Sequence, residues 1–192
     1  MNDEVEVRIG RFKSDLLSST ATQIVERHVI FGDAFALEKD RYFALKEEIA
    51  KHFSVNLPEV VMVGSGKLGF SIVPKKRYQP FSINSDIDIA IVSANLFDLL
   101  WERVFDYWVQ TPYWPDMQDF NNYLARGWIR PDKLPTGFSP GQDWWDFFRE
   151  LTASGKFGDR RLRAGVYRTW HFMRTYHTSA VEKCAGELEN PK

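Results

Sequence analysis

The 192-residue chain has almost no cysteine: Cys184 stands alone. That excludes a disulfide framework and any cysteine-built zinc site. A long apolar run is also missing, and nothing approaches the ~20 residues that span a bilayer. The first residues, MNDEVEVRIG, are acidic and carry no apolar leader-like stretch. Net charge is nearly absent, −1 from 25 Lys plus Arg against 26 Asp plus Glu. A wholesale basic nucleic-acid binder is therefore excluded, while local basic patches stay open. Repeats and low-complexity stretches are lacking too. These absences together predict a soluble cytoplasmic protein with no membrane partner.

What is abundant is aromatic volume. Phe, Trp and Tyr make up 15% of the chain, with seven Trp. Such a composition builds a packed core in a chain of single-domain length. Residues 1–57 read as mainly helical. Tyr42, Leu45, Ile49 and Phe53 recur at spacings of three and four, which predicts a helix over 37–53, ended by Asn56-Leu-Pro58. Glu59-Val-Val-Met-Val63 follows as a short strand and runs into a Gly64-Ser-Gly66 turn. Residues 66–85 read as irregular, broken by Pro74 and Pro80. Asp86-Ile-Asp-Ile-Ala-Ile-Val92 is a second strand, with Asp86, Asp88 and Ala90 on one side and Ile87, Ile89 and Ile91 on the other.

Beyond it the chain reads as helical. Asn95 is the expected N-cap of a helix over 96–110. Shorter helices are expected over 116–127 and 142–153, with a long loop at 128–141. Leu162, Val166, Trp170, Met173, Val181 and Cys184 share one sector of a helical wheel. This predicts one long last helix over 159–187, packed on a core.

The chemistry concentrates in Val63-Gly-Ser-Gly66 and Ser85-Asp-Ile-Asp88. The two-residue period of a strand puts Asp86 and Asp88 on one face, close enough to share an ion. Adjacent carboxylates repel unless something positive lies between them. Mg²⁺ takes oxygen ligands and is commonly held by one or two carboxylates plus phosphates. Gly64 and Gly66 let backbone N–H groups approach phosphate oxygens, and the Ser65 hydroxyl adds a donor. Lys67, beside that turn, is either a phosphate contact or a solvated side chain.

This arrangement resembles the polymerase-beta-like nucleotidyltransferase superfamily, on Gly64, Ser65, Asp86 and Asp88. The later segments Arg-Gly-Trp-Ile-Arg-Pro (126–131) and Gly-Lys-Phe-Gly (155–158) resemble a small bacterial nucleotidyltransferase-like family. The implied fold is α+β: a small mixed β-sheet core with flanking helices and a helical C-terminal half. It makes one domain over 1–192, with N-terminal helices at 1–57, the core at 58–110 and the helical part at 111–192. The implied activity is Mg²⁺- or Mn²⁺-dependent transfer of a nucleoside monophosphate from an NTP such as ATP to a protein, small-molecule or RNA acceptor. Gly64, Ser65, Gly66 and Lys67 would bind the triphosphate, and Asp86 and Asp88 would hold metal and carry catalysis. The superfamily places a third carboxylate on a later strand, and no apolar-Asp-apolar strand follows Val92. The spacer of 20 residues between Ser65 and Asp86 is also long for the superfamily. The alternative is therefore a catalytically impaired binding or regulatory module: a nucleotide sensor, an antitoxin-like component or a defence-system subunit, working with a protein partner or a second copy of itself. A third acid near Asp86 and Asp88 favours catalysis, and a basic or apolar residue there favours the module.

Other readings of the same residues are weaker. Gly64-Ser-Gly66-Lys-Leu-Gly69 fits G-x-G-x-x-G, but a dinucleotide fingerprint needs a helix over 67–80, which Pro74 and Pro80 oppose. A P-loop is excluded because Lys67 is followed by Leu68. Residues 156–174 carry six Lys or Arg against one Asp and read as a solvated helix flank. His177 reads as a hydrogen-bonded core histidine. Trp144-Trp145 and Phe147-Phe148 read as core.

Overall fold

A computed structural model describes the backbone of residues 2–189 and the side chains of residues 3–186. Helix α1 (Asn2–Ser18) is followed by α2 (Ala21–Ile24), which continues as a π-helical stretch, Val25–Ile30. Thr20 and Gln23 close a reciprocal capping box at the start of α2. Next come α3 (Lys39–Phe53), β1 (Val60–Val63), a five-residue helix α4 (Gly64–Leu68), β2 (Ile87–Val92) and α5 (Ala94–Gln110). The chain continues through α6 (Met117–Leu124), β3 (Trp128–Ile129), α7 (Ser139–Ala153), β4 (Leu162–Tyr167) and α8 (Trp170–Glu189). The fold is α+β, with one mixed four-stranded sheet and a largely helical C-terminal half.

The sheet order is β1-β2-β4-β3. β2 runs antiparallel to β1 and parallel to β4, and β3 lies antiparallel to the end of β4. The alternation along β2 explains why helices cover both faces. Ile87, Ile89 and Ile91 pack on one side with Leu45 and Ile49 of α3, Leu100 and Val104 of α5, and Trp144 and Phe148 of α7. Ala90 and Val92 pack on the other with Phe12 of α1, Val25 and Val29 of the π-helical stretch, and Met173 and Val181 of α8. Each large aliphatic or Phe side chain among them contributes about 1.5–3 kcal/mol on burial, so both layers help to hold the central strand.

Several local expectations require correction. The predicted last helix is two elements: residues 162–167 form β4, and only Trp170 onward is helical. The predicted loop at 128–141 contains β3 and a 3-10 turn, Pro131–Lys133. Ser93 rather than Asn95 occupies the N-cap of α5, without a side-chain cap bond. The Gly-Ser-Gly turn is itself the helix α4, which stops at Gly69. With no helix over 67–80, the dinucleotide reading fails. The 66–85 segment folds back on itself through Ser71 N–H to Gln79 C=O (2.9 Å) and Tyr78 N–H to Ser71 C=O (2.7 Å). It buries Phe70, Ile72 and Phe81, so it is a packed insertion.

Candidate functional site

The strands bring the carboxylates beside the Gly64 turn. Asp88 lies in register with Val63 at the end of β1 and with Arg163 on β4. Gly64 follows Val63 directly and has φ +65°, a left-handed conformation that turns the strand into α4. A Cβ on Gly64 would sit 3.1 Å from Asp88 Oδ2, so only glycine lets the turn and this carboxylate meet without displacement.

Arginines supply the compensating charge. Arg163 Nε lies 3.1 Å from Asp86 Oδ2, and Arg161 Nε lies 3.7 Å from Asp86 Oδ1. β4 is the second neighbour of β2, and its sequence Leu-Arg-Ala-Gly-Val-Tyr holds no acid. Among the described residues, no group of three or more His, Cys, Asp or Glu is placed to hold a metal. Burial pushes the Asp88 carboxyl up to about 6, and the Asp86 charge adds to this. Arg163 and Arg130 act in the opposite direction. Asp88 is therefore a carboxylate close to changing charge near neutrality.

A cavity of about 790 Å³ adjoins these groups. Gly64, Asp88, Arg161 and Arg163 line it, as do Ala164, Trp128, Arg130, Trp145, Phe148 and Tyr176. Four arginines (130, 149, 161 and 163) and two acids, Asp88 and Asp132, are among its lining residues. Arg130 forks onto Asp132 at 3.0 and 2.7 Å and donates to the Tyr123 hydroxyl at 3.0 Å. Trp128 stacks on Tyr167, with ring centres 5.1 Å apart. That stack requires Gly165, where a Cβ would fall 2.5 Å from Trp128 Nε1.

The sequence-predicted site residues are thus divided. Gly64 and Asp88 line the cavity, and Asp86 is joined to it through Arg161 and Arg163. Ser65 is half-buried beside Gly64. Gly66 is buried against Met62, Ala36 and Phe81. Lys67 is 2% exposed and faces a separate, smaller pocket, where its Nζ donates to the Gly32 carbonyl. Burial pushes its amine down to about 8; Asp33 opposes this, whereas Lys46 and Arg8 add to it. It is neither the solvated side chain nor a lining residue of the Asp88 cavity.

Several lining residues were not legible in the sequence. Arg161 and Arg163 read as helix flank because β4 was not seen. Their spacing of two, followed by Gly165-Val-Tyr167, is the strand signal that was available. Trp128 and Arg130 lie in the Arg-Gly-Trp-Ile-Arg-Pro segment, to which no site role was given, and Tyr176 gave no signal. His177 is buried as expected, but its Nε2 has no hydrogen-bond partner among the described residues. Burial pushes it down to about 4, so the ring is neutral at pH 7. Trp144 and Phe148 are core, 4% and 5% exposed, while Trp145 is half-buried in the cavity wall. No family model, no curated protein and no solved structure matches this chain.

Proposed function

We propose that this chain is a nucleoside-phosphate-binding module of nucleotidyltransferase-like build, in which arginine rather than metal compensates the carboxylate pair. The observation that carries this reading is Arg163. It stands in register with Asp88, on the strand that would have to supply a third carboxylate, and it pairs with Asp86 at 3.1 Å. A divalent ion would have to displace Arg163 and Arg161 from Asp86. It would then find two carboxylates and, on β4, no acid. This donor set does not fit a two-ion centre, which needs more anionic oxygen than two residues supply. It does fit anion binding. The four lining arginines, which pair in the free protein with Asp86, Asp132 and Asp146, together with the α4 backbone beginning at Gly64, offer charge-assisted donors to phosphate oxygens. The aromatic part of the wall suits a planar ring. Such a module would act as a nucleotide sensor, reporting to a protein partner.

The second reading is the transferase itself. It is favoured by the Asp86–Asp88 pair, whose mutual repulsion helps to raise Asp88, and by the 3.1 Å approach of Asp88 to the Gly64 position. Two measurements separate the readings. Calorimetric titration with ATP in EDTA should show binding, and Arg163→Ala should weaken it about tenfold, the worth of one charge-assisted hydrogen bond. Incubation with α-labelled NTPs, Mg²⁺ or Mn²⁺, and total RNA or cell lysate should give no label transfer. Transfer that disappears in Asp86→Asn/Asp88→Asn would establish the enzyme instead. Failure of every NTP to bind would remove both readings.

A further inference from the structure

The spacing along α1 sets Glu4, Arg8, Arg11 and Asp15 on one helix face. Arg8 and Arg11 border a second pocket, of about 360 Å³, where Arg27 joins them from the π-helical stretch and Lys67 from α4. The fold sets Lys67 there. Its carbonyl accepts from Phe35 N–H (3.2 Å) and the Gly66 carbonyl from Ala36 N–H (2.8 Å), which ties the preceding segment to α4. The Lys67 side chain then reaches the Gly32 carbonyl, which takes one of its three protons. The Tyr42 ring centre lies 5.9 Å from Nζ. The amine forms no ion pair among the described residues, and Asp33 acts on it only from a distance. Titrating at about 8, it is mostly charged at pH 7. A buried charge calls for a counter-charge or full hydrogen bonding, and Lys67 has one carbonyl. Arg11 likewise forms no ion pair or side-chain hydrogen bond among the described residues, whereas Arg8 pairs with Glu4 at 3.1 Å and Arg27 with Asp15 at 2.7 Å.

We propose that this pocket binds a phosphate group, as inorganic phosphate or a small phosphomonoester, through the Lys67 ammonium and the Arg8 and Arg11 guanidiniums. The site uses none of the groups around Asp88, so it stands or falls apart from the nucleoside-phosphate reading. Its cationic donors come from three elements, α1, the π-helical stretch and α4. A tetrahedral phosphate offers oxygens in several directions, while a carboxylate offers two oxygens in one plane. Bound phosphate gives the Lys67 ammonium a counter-charge, and Arg11 is free to turn onto it. The lining acids do not oppose this: Glu4 is held by Arg8, and Asp33 is exposed and outside any ion pair among the described residues. Leu68 borders both this pocket and the Asp88 cavity, and Gly64, where α4 begins, borders the latter. Phosphate on Lys67 therefore bears on the short helix that the two sites share.

The test uses the full chain in a buffer free of phosphate and three probes: inorganic phosphate, glycerol 3-phosphate and acetate. Calorimetry should show saturable binding of a phosphate probe, and the tighter of the first two names the source. Acetate should bind about tenfold more weakly, since it leaves one donor unmet. Lys67→Met and Arg11→Ala should each weaken phosphate about tenfold, the loss of one charge-assisted hydrogen bond. Arg163→Ala, in the other cavity, should leave phosphate within twofold. In NMR of the lysine side-chain carbons, phosphate should move the Lys67 titration to higher pH, because an adjacent anion favours the charged amine. Absence of saturable binding by both phosphate probes overturns the proposal, and so does a Lys67 titration that phosphate leaves in place. Binding that Arg163→Ala abolishes and Lys67→Met spares overturns it too, and leaves the nucleoside-phosphate reading standing. Acetate binding as tightly as phosphate overturns the choice of phosphate. Should Lys67→Met not fold, Arg11→Ala, at an exposed position, and the Lys67 titration of the native chain decide.

Discussion

Asp88→Asn should make the protein more stable at neutral pH. The folded Asp88 carboxyl titrates at about 6, against an ordinary value of 3.8, because it is desolvated and faces Asp86. At about 1.4 kcal/mol per tenfold change in proton affinity, the charged form disfavours folding by roughly 3 kcal/mol. The sign follows from proton binding. Between pH 3.8 and about 6 the folded state holds a proton that the unfolded state has released. Stability attributable to Asp88 therefore falls as pH rises through that window and stays low above it. Asparagine reproduces the shape of the protonated carboxyl and removes the charge. Urea unfolding at pH 7.5 should show a gain of roughly 2–3 kcal/mol, or about 4–12 °C in Tm for a chain of this size. At pH 4 the variant and the native chain should differ little. Asp86→Asn should give part of the same gain, since it removes the second cause. Equal or lower stability of Asp88→Asn at pH 7.5 would refute the reasoning, and so would a gain independent of pH. A residue that costs stability where it stands is the kind retained for binding or chemistry.

Other expectations follow from single contacts. Gly165→Val should destabilise by about 1–3 kcal/mol through overlap with the Trp128 indole, whereas Gly10→Ala in α1, which has open space around it, should be neutral or stabilising; thermal melts compare the two. Tyr42→Phe should cost about 1–3 kcal/mol in urea unfolding, because the Tyr42 hydroxyl accepts the Met62 N–H of the edge strand β1 at 2.7 Å. Lys67→Met should leave ATP affinity within twofold, and a tenfold loss in calorimetry would place Lys67 at the ATP site. Because burial lowers the Lys67 amine to about 8, the native chain should gain stability as pH rises from 8 toward 10.5, and the Met variant should lack that gain.

The part of the fold that was legible rests on local pattern. The 3.6-residue spacing of Tyr42, Leu45, Ile49 and Phe53 marks α3, and the isoleucine alternation of 87–91 marks a strand buried on alternate faces. The Gly64 turn and the Asp86–Asp88 pair were legible for the same reason, since each is set within a few residues. β4 was not. Leu162, Val166, Trp170 and Met173 recur at spacings of four, four and three, which is also the helical pattern. What makes 162–167 a strand is the free edge of β2, against which it pairs in register from Ile87↔Leu162 to Val92↔Tyr167. Strand pairing is a non-local interaction, and local propensity cannot report it.

The sequence by itself therefore determined the α+β class, the glycine turn and two carboxylates on one strand face. Tertiary structure alone decided what those carboxylates face. Pairing β4 to β2 brings Arg163 opposite Asp88, from 75 residues along the chain, and sets arginines beside the carboxylate pair at the mouth of an aromatic-lined cavity. The physical reason is distance in sequence: a charge partner is chosen by which strand fills the next place in the sheet, and only the folded chain makes that choice.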